Sequence, residues 1–319
     1  MTAAMKAKAA ALHAPRVIRA VRHDAVRPPY TAPGHYYSPQ TSSEDIERAV
    51  TTRQSPAGVD LRVADQLALA AELDLSPPDE GRWVDGNGMF DAADAAMLRA
   101  MMLRNRPRRM VEIGSGYSTA LALDVAGSSL PELHITCVEP YPDRLRSRLR
   151  PGDDQRITLI ERPVQDLAPE ALAPGLAPGD IFFIDSTHVA KAGSDVLWLF
   201  LRTLPLIPPG VLVHVHDIQW PFEYPDEWLR ERRDWTETYL LHAFLIANSQ
   251  WRIELWGDWL LTEHPEVVPS FERCAGRVDL AAPRVTSCSM ALIRHDQAVM
   301  SSDAGKDCAA TGPSDVLPP

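Results

Sequence analysis

The sequence predicts an α/β protein in which a doubly wound, mostly parallel sheet carries helices on both faces. Short, continuously apolar runs alternate with helical stretches from residue 86 onward, and a glycine-rich turn follows the first apolar run. Continuous apolar runs are typical of parallel strands, which are buried on both faces. The last two apolar runs have no clear helix between them, so we expect them to form an antiparallel edge.

The predicted elements follow one another in a regular order. Helices are expected from Thr41, over 61–75 and over 92–103, ahead of the first strand. Strands then fall at 110–113, 134–138, 157–160, 181–184, 211–215, 251–256 and 287–293, with helices at 118–126, 142–149 and 195–204. The domain prediction is an N-terminal extension over 1–80, a ligand-binding domain over 81–295 with an aromatic-rich insertion at 219–250, and a disordered tail at 296–319.

The composition of the chain indicates which binding partners and which cellular location to expect. The chain has 319 residues and a net charge of −11, and an acidic protein gains nothing from releasing phosphate counterions, so nucleic acid is not an expected partner. No apolar run reaches the roughly 18 residues of a membrane span. Four scattered cysteines lack metal-binding spacing, and together with the absence of a secretory signal they favour a reducing, cytoplasmic location.

The turn after the first strand is the most informative motif. Gly114 and Gly116 let the backbone approach a ligand closely, and the helix behind them offers free N–H groups. Thr119 stands where a dinucleotide fingerprint would have its third glycine, and the carboxylate of Glu112 would repel a pyrophosphate. Both observations disfavour a nicotinamide cofactor, and Glu112 favours a ligand with a cationic group.

Acidic residues follow the next two strands. Glu139 ends the second strand, where a carboxylate can accept both hydroxyls of a ribose. Gln165 and Asp166 follow the third strand, where they are placed to address an adenine edge. The sequence therefore predicts a nucleoside pocket at the carboxyl ends of the strands.

In this order the motifs resemble those of class I S-adenosylmethionine-dependent methyltransferases. The stretch 179–188 ends in Asp-x-x-His and the stretch 209–218 ends in His-Asp-Ile, which resembles a bacterial small-molecule branch of that family over roughly residues 84–294. The resemblance implies a Rossmann-like, seven-stranded sheet with an antiparallel last strand, and S-adenosylmethionine beneath the glycine turn. The cofactor-binding residues that it implies are Glu112, Gly114, Ser115, Gly116, Ser118, Glu139, Gln165, Asp166 and Asp185.

Four residues at the ends of the fourth and fifth strands are the predicted catalytic residues: Asp185, His188, His216 and Asp217. In one hypothesis a histidine is a general base that an aspartate holds in place. In another, Asp185, His216 and Asp217, with or without His188, bind a divalent metal, and this ligand set favours Mn²⁺, Fe²⁺ or Zn²⁺ over Mg²⁺. A purely structural role at the strand ends is the third. His214 is expected to be a hydrogen-bonded core histidine.

Aromatic residues are predicted to contact the acceptor, the molecule that receives the methyl group. Six of the eight tryptophans fall between residues 220 and 259. Trp220 and Tyr224 are predicted to contact the acceptor, and Tyr36 and Tyr37 to cover it as a lid. Packing against the sheet, or a homodimer interface, is the alternative role for these aromatics.

The predicted function is methyl transfer from S-adenosylmethionine to a hydroxyl or amine of a small molecule, namely a natural product, a sugar or a modified amino acid. A metal-dependent, hydroxylase-like enzyme on the same fold and a non-catalytic S-adenosylmethionine-binding subunit are the alternatives.

Overall fold

The structure, a computed structural model, describes residues 29–53, 56–267 and 290–294. The chain divides into two compact units, of which the smaller joins Met1–Arg53 with Asp226–Asp234 and the larger comprises Gln54–Pro225 and Trp235–Pro319. The tail predicted at 296–319 lies outside the described residues, as does the start of the strand predicted at 287–293. No helix in the described ranges has both the length and the apolar character needed to cross a membrane.

Helices and strands alternate along the described chain. The helices are α1 (Ser43–Thr51), α2 (Val63–Glu72), α3 (Ala92–Asn105), α4 (Tyr117–Ser128), α5 (Asp143–Arg146), α6 (Asp195–Trp198), α7 (Asp226–Arg230), α8 (Glu237–Leu245) and α9 (Gly257–Glu263). The strands are β1 (Arg109–Ile113), β2 (His134–Val138), β3 (Ile157–Ile160), β4 (Ile181–Ile184), β5 (Leu212–Val215), β6 (Trp251–Trp256) and β7 (Met290–Arg294).

These strands form a sheet in the order β3-β2-β1-β4-β5-β7-β6. Strands β1 to β5 are parallel, whereas β7 runs antiparallel to both of its neighbours. The prediction of an α/β protein with a mostly parallel sheet is confirmed. The chain order reverses between β1 and β4, and ligands of open α/β sheets bind at such a switch point, beyond the carboxyl ends of the strands.

The core lies on the central strands and on two alanine-rich helices. All four residues of β4 are buried, as are those of β5. Helices α3 and α4 present small buried residues, such as Ala95 and Ala122, which allow close packing. The helix predicted over 195–204 is instead divided, because α6 continues as a π-helical turn (Leu199–Thr203) and a 3₁₀ turn (Leu204–Leu206). Pro205 explains the change, since its ring clashes with the carbonyl four residues earlier in a regular helix.

The smaller unit is held by capping and by surface ion pairs. Helix α1 begins with a capping box in which Ser42 and Asp45 bond to each other's backbone N–H. The hydroxyl of Thr41 donates to Asp234 at 2.6 Å, and Arg53 lies 2.6 Å from Asp226. These contacts join the two chain segments of this unit, although exposed ion pairs each contribute at most about 1 kcal/mol.

Candidate active site

The glycine turn after β1 lies directly against the end of β4. Gly114 has a φ of +83°, and a Cβ at this position would come within 1.8 Å of the backbone oxygen of Asp185. The N–H of Gly114 donates to the carbonyl of Val138 at the end of β2, at 3.0 Å. Glycine is therefore required here for both the left-handed backbone and the close approach. The turn and the end of β4 form one continuous surface at the switch point.

Glu112 lies beneath this turn. Its side chain is fully buried, and its two carboxylate oxygens accept hydrogen bonds from the hydroxyls of Ser118 and Thr119, each at 2.5 Å. Thr119 in turn accepts from the N–H of Gly116 at 3.1 Å. Burial raises the pKa of Glu112 to about 7, although the two hydroxyls oppose the rise. Glu112 thus supports the first turn of α4, and a direct contact with a ligand stays a prediction.

The other predicted cofactor residues lie at the same edge of the sheet. Glu139, half-buried at the end of β2, accepts from the N–H of Ser115 at 3.1 Å and from that of Tyr141 at 2.7 Å. The side-chain amide of Gln165 donates to the carbonyl of Gly193 at 3.4 Å. Asp166 is exposed. Carboxylate oxygens can each accept more than one hydrogen bond, so Glu139 retains capacity for the hydroxyls of a ligand.

The four predicted catalytic residues converge. Asp185 directly follows β4, and His216 and Asp217 directly follow β5, which pairs with β4 in register. The Nδ1 atom of His216 lies 3.6 Å from Oδ1 of Asp185 and 3.5 Å from Oδ2 of Asp217. The Nε2 atom of His188 lies 3.5 Å from the same Asp185 oxygen and 3.2 Å from the same Asp217 oxygen. We call these four residues the strand-end cluster.

Two further carboxylates stand behind the histidines. Oε2 of Glu237, the first residue of α8, lies 2.7 Å from Nδ1 of His188, and this glutamate is fully buried. Oδ2 of Asp94, in the first turn of α3, lies 3.5 Å from Nε2 of His216. Neither residue was predicted from the sequence, because acids in the first turn of a helix are ordinary complements to the helix dipole.

Two residues of the strand-end cluster have a strained backbone conformation. His188 has a φ of +60° and Asp217 a φ of +59°, in the left-handed region that non-glycine residues rarely adopt. The carbonyl of His188 accepts the N–H groups of Thr236 and Glu237 at 2.8 and 3.0 Å. These hydrogen bonds connect the segment after β4 to the start of α8. Such conformations cost about 1–3 kcal/mol and persist where surrounding contacts impose them.

The electrostatics of the strand-end cluster are strongly coupled. Burial opposes protonation of His188, but its hydrogen bonds to Asp185 and Glu237, together with the charge of Asp217, raise its pKa to about 10. Burial likewise opposes the charged form of His216, and the facing carboxylates, Asp217 first, raise its pKa well above the ordinary value. Burial disfavours ionisation of Asp217, yet the charge of His216 keeps its pKa below the usual range. The two aspartates are therefore ionised and the two histidines protonated, so the charges within the strand-end cluster balance one another.

His214 lies in the core, one step deeper along β5. It is 1% exposed, and its ring stacks on Phe183 with 4.5 Å between ring centres. Burial lowers its pKa to about 3, so it is neutral. Among the described residues neither ring nitrogen has a hydrogen-bond partner, which differs from the prediction of a hydrogen-bonded histidine.

The aromatic residues predicted to bind the acceptor have different surroundings. The indole N–H of Trp220 donates to Glu263 at 2.7 Å, and its ring packs edge-on against Trp256. Tyr224 is 2% exposed, and its hydroxyl accepts the backbone N–H of Thr238. Tyr36 and Tyr37 belong to the smaller unit and are 81% and 65% exposed. A role of any of them in acceptor binding stays a prediction.

Residues 111–218, from β1 to just beyond β5, match the family model of a methyltransferase domain. An uncharacterized protein of Archaeoglobus fulgidus is 32% identical over 154 residues, which cover 42% of this chain and 69% of that protein.

Solved structures with similarity include TomG of Streptomyces achromogenes, an O-methyltransferase involved in tomaymycin synthesis, in complex with S-adenosylmethionine. It is 17% identical, with a TM-score of 0.42, over 80% of this chain and 97% of TomG. PaMTH1, a Podospora anserina methyltransferase bound to S-adenosylhomocysteine, is 14% identical with a TM-score of 0.43, over 76% of this chain and all of that protein. A cmcI structure with Mg and S-adenosylmethionine is 20% identical with a TM-score of 0.33, over 50% of this chain and 62% of cmcI.

Proposed function

We propose that this chain, which belongs to the same family as the archaeal protein and carries a methyltransferase domain over residues 111–218, transfers a methyl group from S-adenosylmethionine to a hydroxyl group of a small molecule. The observation that carries the proposal is the contact between the glycine turn and Asp185, which leaves no room for a Cβ at Gly114. A cofactor bound at the turn is thereby next to the strand-end cluster.

In this proposal the cofactor is bound by residues that lie beyond the carboxyl ends of the strands. Glu139 receives the ribose hydroxyls, Gln165 and Asp166 lie towards the adenine, and Ser115 and Gly116 offer the backbone of the turn. Glu112 and Ser118 stabilise the glycine turn on its buried side, because the hydroxyl of Ser118 donates to the Glu112 carboxylate. The cationic sulfonium and ammonium groups suit an edge that is rich in carboxylates.

The strand-end cluster fits a divalent cation. One ligand atom each from Asp185, His216 and Asp217 lies within 4.8 Å of the others. His216 is 2% exposed, and among the described residues its ring nitrogens have no hydrogen-bond partner, which is unusual for a buried polar group. A bound cation there supplies Lewis-acid chemistry that lowers the pKa of a coordinated hydroxyl. We therefore propose Asp185, His216 and Asp217 as metal ligands.

A metal site at the strand-end cluster favours a hydroxyl over an amine as the methyl acceptor. An amine near its pKa needs only positioning, whereas a hydroxyl must lose its proton. In the transfer, an oxygen lone pair forms the bond to the methyl carbon. The methyl–sulfur bond breaks with its electron pair remaining on sulfur, and the acceptor proton passes to solvent water, because both carboxylates of the cluster would be metal ligands.

A metal-free general base is less well supported. Both ring nitrogens of His188 already face carboxylate oxygens, at 2.7 Å from Glu237 and 3.2 Å from Asp217. No lone pair of this histidine is therefore directed towards an acceptor. Acceptor contact by Trp220 remains our proposal, and the proposed acceptor is a natural product, a sugar or a modified amino acid.

Calorimetric titration with S-adenosylmethionine and S-adenosylhomocysteine tests the proposal. We expect binding of both by the wild type and at least about tenfold weaker binding by Glu139→Gln, which loses hydrogen bonds to a charged acceptor. Glu132→Gln is the matched control, because its side chain is 70% exposed just before β2, at the opposite edge of the sheet. A folded protein that binds neither ligand would refute the proposed function.

A further inference from the structure

Three consecutive residues at the start of α8 hold His188 in place. The ring of Trp235 lies against the imidazole, with 4.4 Å between ring centres. The N–H groups of Thr236 and Glu237 donate to the carbonyl of His188, at 2.8 and 3.0 Å. The hydroxyl of Thr236 also accepts the N–H of Ala190 at 2.7 Å. One short segment therefore fixes the ring face of this histidine, its main chain and the loop that follows it.

The side chain of Glu237 adds a further contact, which is directed at the imidazole itself. Its Oε2 atom lies 2.7 Å from Nδ1 of His188, and Glu237 is 0% exposed. Taking a carboxylate out of water is unfavourable unless a partner compensates, and apolar residues in place of a buried ion pair often leave a protein equally stable or more stable. A glutamate buried at this position therefore indicates a role beyond stability, exerted through its histidine partner.

The opposite nitrogen of the same ring faces the strand-end cluster. Nε2 of His188 lies 3.2 Å from Oδ2 of Asp217 and 3.5 Å from Oδ1 of Asp185. The same two oxygens face Nδ1 of His216, at 3.5 and 3.6 Å. Asp185, His216 and Asp217 form the group that could hold a metal, and His188 lies outside that group. His188 is therefore placed to hold two ligand oxygens rather than to be a ligand.

The two aspartates need such a contact to have a defined orientation. The terminal torsion of an aspartate side chain is broad, so the backbone alone does not fix where its oxygens lie. Asp185 and Asp217 follow neighbouring strands, and one nitrogen of His188 faces both of them. A ring that is fixed at its other nitrogen therefore restricts both carboxyl groups at once.

We propose that Glu237 is a positioning residue that acts through His188 to orient the carboxylates of Asp185 and Asp217. Neither Glu237 nor His188 coordinates the metal in this arrangement. The inference rests on the proposed function, since the two aspartates are the metal ligands proposed there. It makes the start of α8 part of the active site, although this helix lies beyond residues 111–218, which match the methyltransferase family model.

Manganese titration of the full-length, chelator-stripped protein tests the inference. Free Mn²⁺ gives a sharp electron paramagnetic resonance signal that is lost on binding, so the affinity is measured without turnover. We expect the wild type to bind Mn²⁺ and Glu237→Gln to bind it about 10–100-fold more weakly, as is typical when a group that holds a metal ligand is substituted. Glu237→Asp keeps the charge but withdraws it from the imidazole, and we expect it to weaken Mn²⁺ binding as well.

A double-mutant cycle separates action through His188 from a direct effect of the glutamate charge. His188→Ala alone should weaken Mn²⁺ binding. Adding Glu237→Gln to that variant should have no further effect, because the residue through which Glu237 acts is then missing. Additive losses in the double variant would overturn the inference, and so would wild-type Mn²⁺ affinity in Glu237→Gln.

The control variant is Thr238→Val, at the next position of α8. Thr238 is also 0% exposed, and its hydroxyl has no hydrogen-bond partner among the described residues, so Mn²⁺ affinity should stay at the wild-type level. An equal loss in Thr238→Val would show a general effect of disturbing α8 and would overturn the inference.

S-adenosylhomocysteine binding is measured in parallel on every variant, to show that the fold and the cofactor site persist. A wild-type protein that binds S-adenosylhomocysteine but no Mn²⁺ would overturn the inference and leave cofactor binding intact. A wild-type protein that binds no S-adenosylhomocysteine would instead refute the proposed function itself.

Discussion

Replacing Glu112 by glutamine should stabilise the protein at alkaline pH by an amount that the structure predicts. The carboxyl is fully buried, and its pKa is raised from an ordinary 4.5 to about 7. One pKa unit corresponds to about 1.4 kcal/mol, so the difference amounts to about 3 kcal/mol. Because the folded-state pKa is the higher one, the stability contribution is complete below pH 4.5 and is lost as the pH rises through 7. Glutamine resembles the protonated carboxyl and does not titrate.

Urea unfolding of wild type and Glu112→Gln between pH 4.5 and pH 8 measures this difference. We expect similar free energies of unfolding at pH 4.5 and a variant that is about 3 kcal/mol more stable at pH 8. Glu132→Gln removes the same charge from an exposed site, and the difference between its free energy of unfolding and that of the wild type should not change with pH. A variant that is less stable at pH 8 would refute the reasoning. It would mean that the hydroxyls of Ser118 and Thr119 stabilise the ionised carboxylate more than burial opposes it.

Three further substitutions have definite expected outcomes. Gly114→Ala should abolish S-adenosylhomocysteine binding, because its Cβ would overlap the backbone oxygen at the end of β4; Gly127→Ala in α4, where a Cβ meets no atom within 4 Å, should keep binding and raise the melting temperature. Arg82→Ala should cost roughly 3 kcal/mol in urea unfolding, since it leaves two largely buried aspartates, Asp124 and Asp153, without their guanidinium partner. The exposed pair broken by Arg108→Ala should cost less than about 0.5 kcal/mol. Asp217→Asn should retain cofactor binding by calorimetry but lose turnover, and equal loss of both would exclude a role confined to the chemical step.

The sheet could be predicted because its signals are local. The apolar run at 181–184 coincides with β4, whose four residues are all buried, since a strand buried on both faces needs apolar residues throughout. The segment after Asp195 was harder, because its periodicity is helical up to Pro205 and only the packed chain shows the wider π-helical turn. Tertiary contacts decide such boundaries.

The site was predictable up to the strand ends and no further. Parallel strands place their carboxyl ends together, so Asp185, His216 and Asp217 could be grouped from sequence. The orientation of His188 could not, because it depends on a left-handed backbone and on a carboxylate 49 residues later, at Glu237. The sequence does not predict Asp94 either, because nothing in its own helix distinguishes it from an ordinary first-turn acid.

The position of β7 has a consequence for synthesis on the ribosome. In the described part of the sheet β5 lies between β4 and β7, and β6 pairs with β7, yet β7 is the last of these strands to be translated. Until Met290–Arg294 emerges, the nascent chain presents the strand Leu212–Val215 as an open edge, the kind of edge that pairs with strands of other chains. A deletion that removes these five C-terminal strand residues is therefore expected to yield aggregates during expression rather than a smaller soluble enzyme.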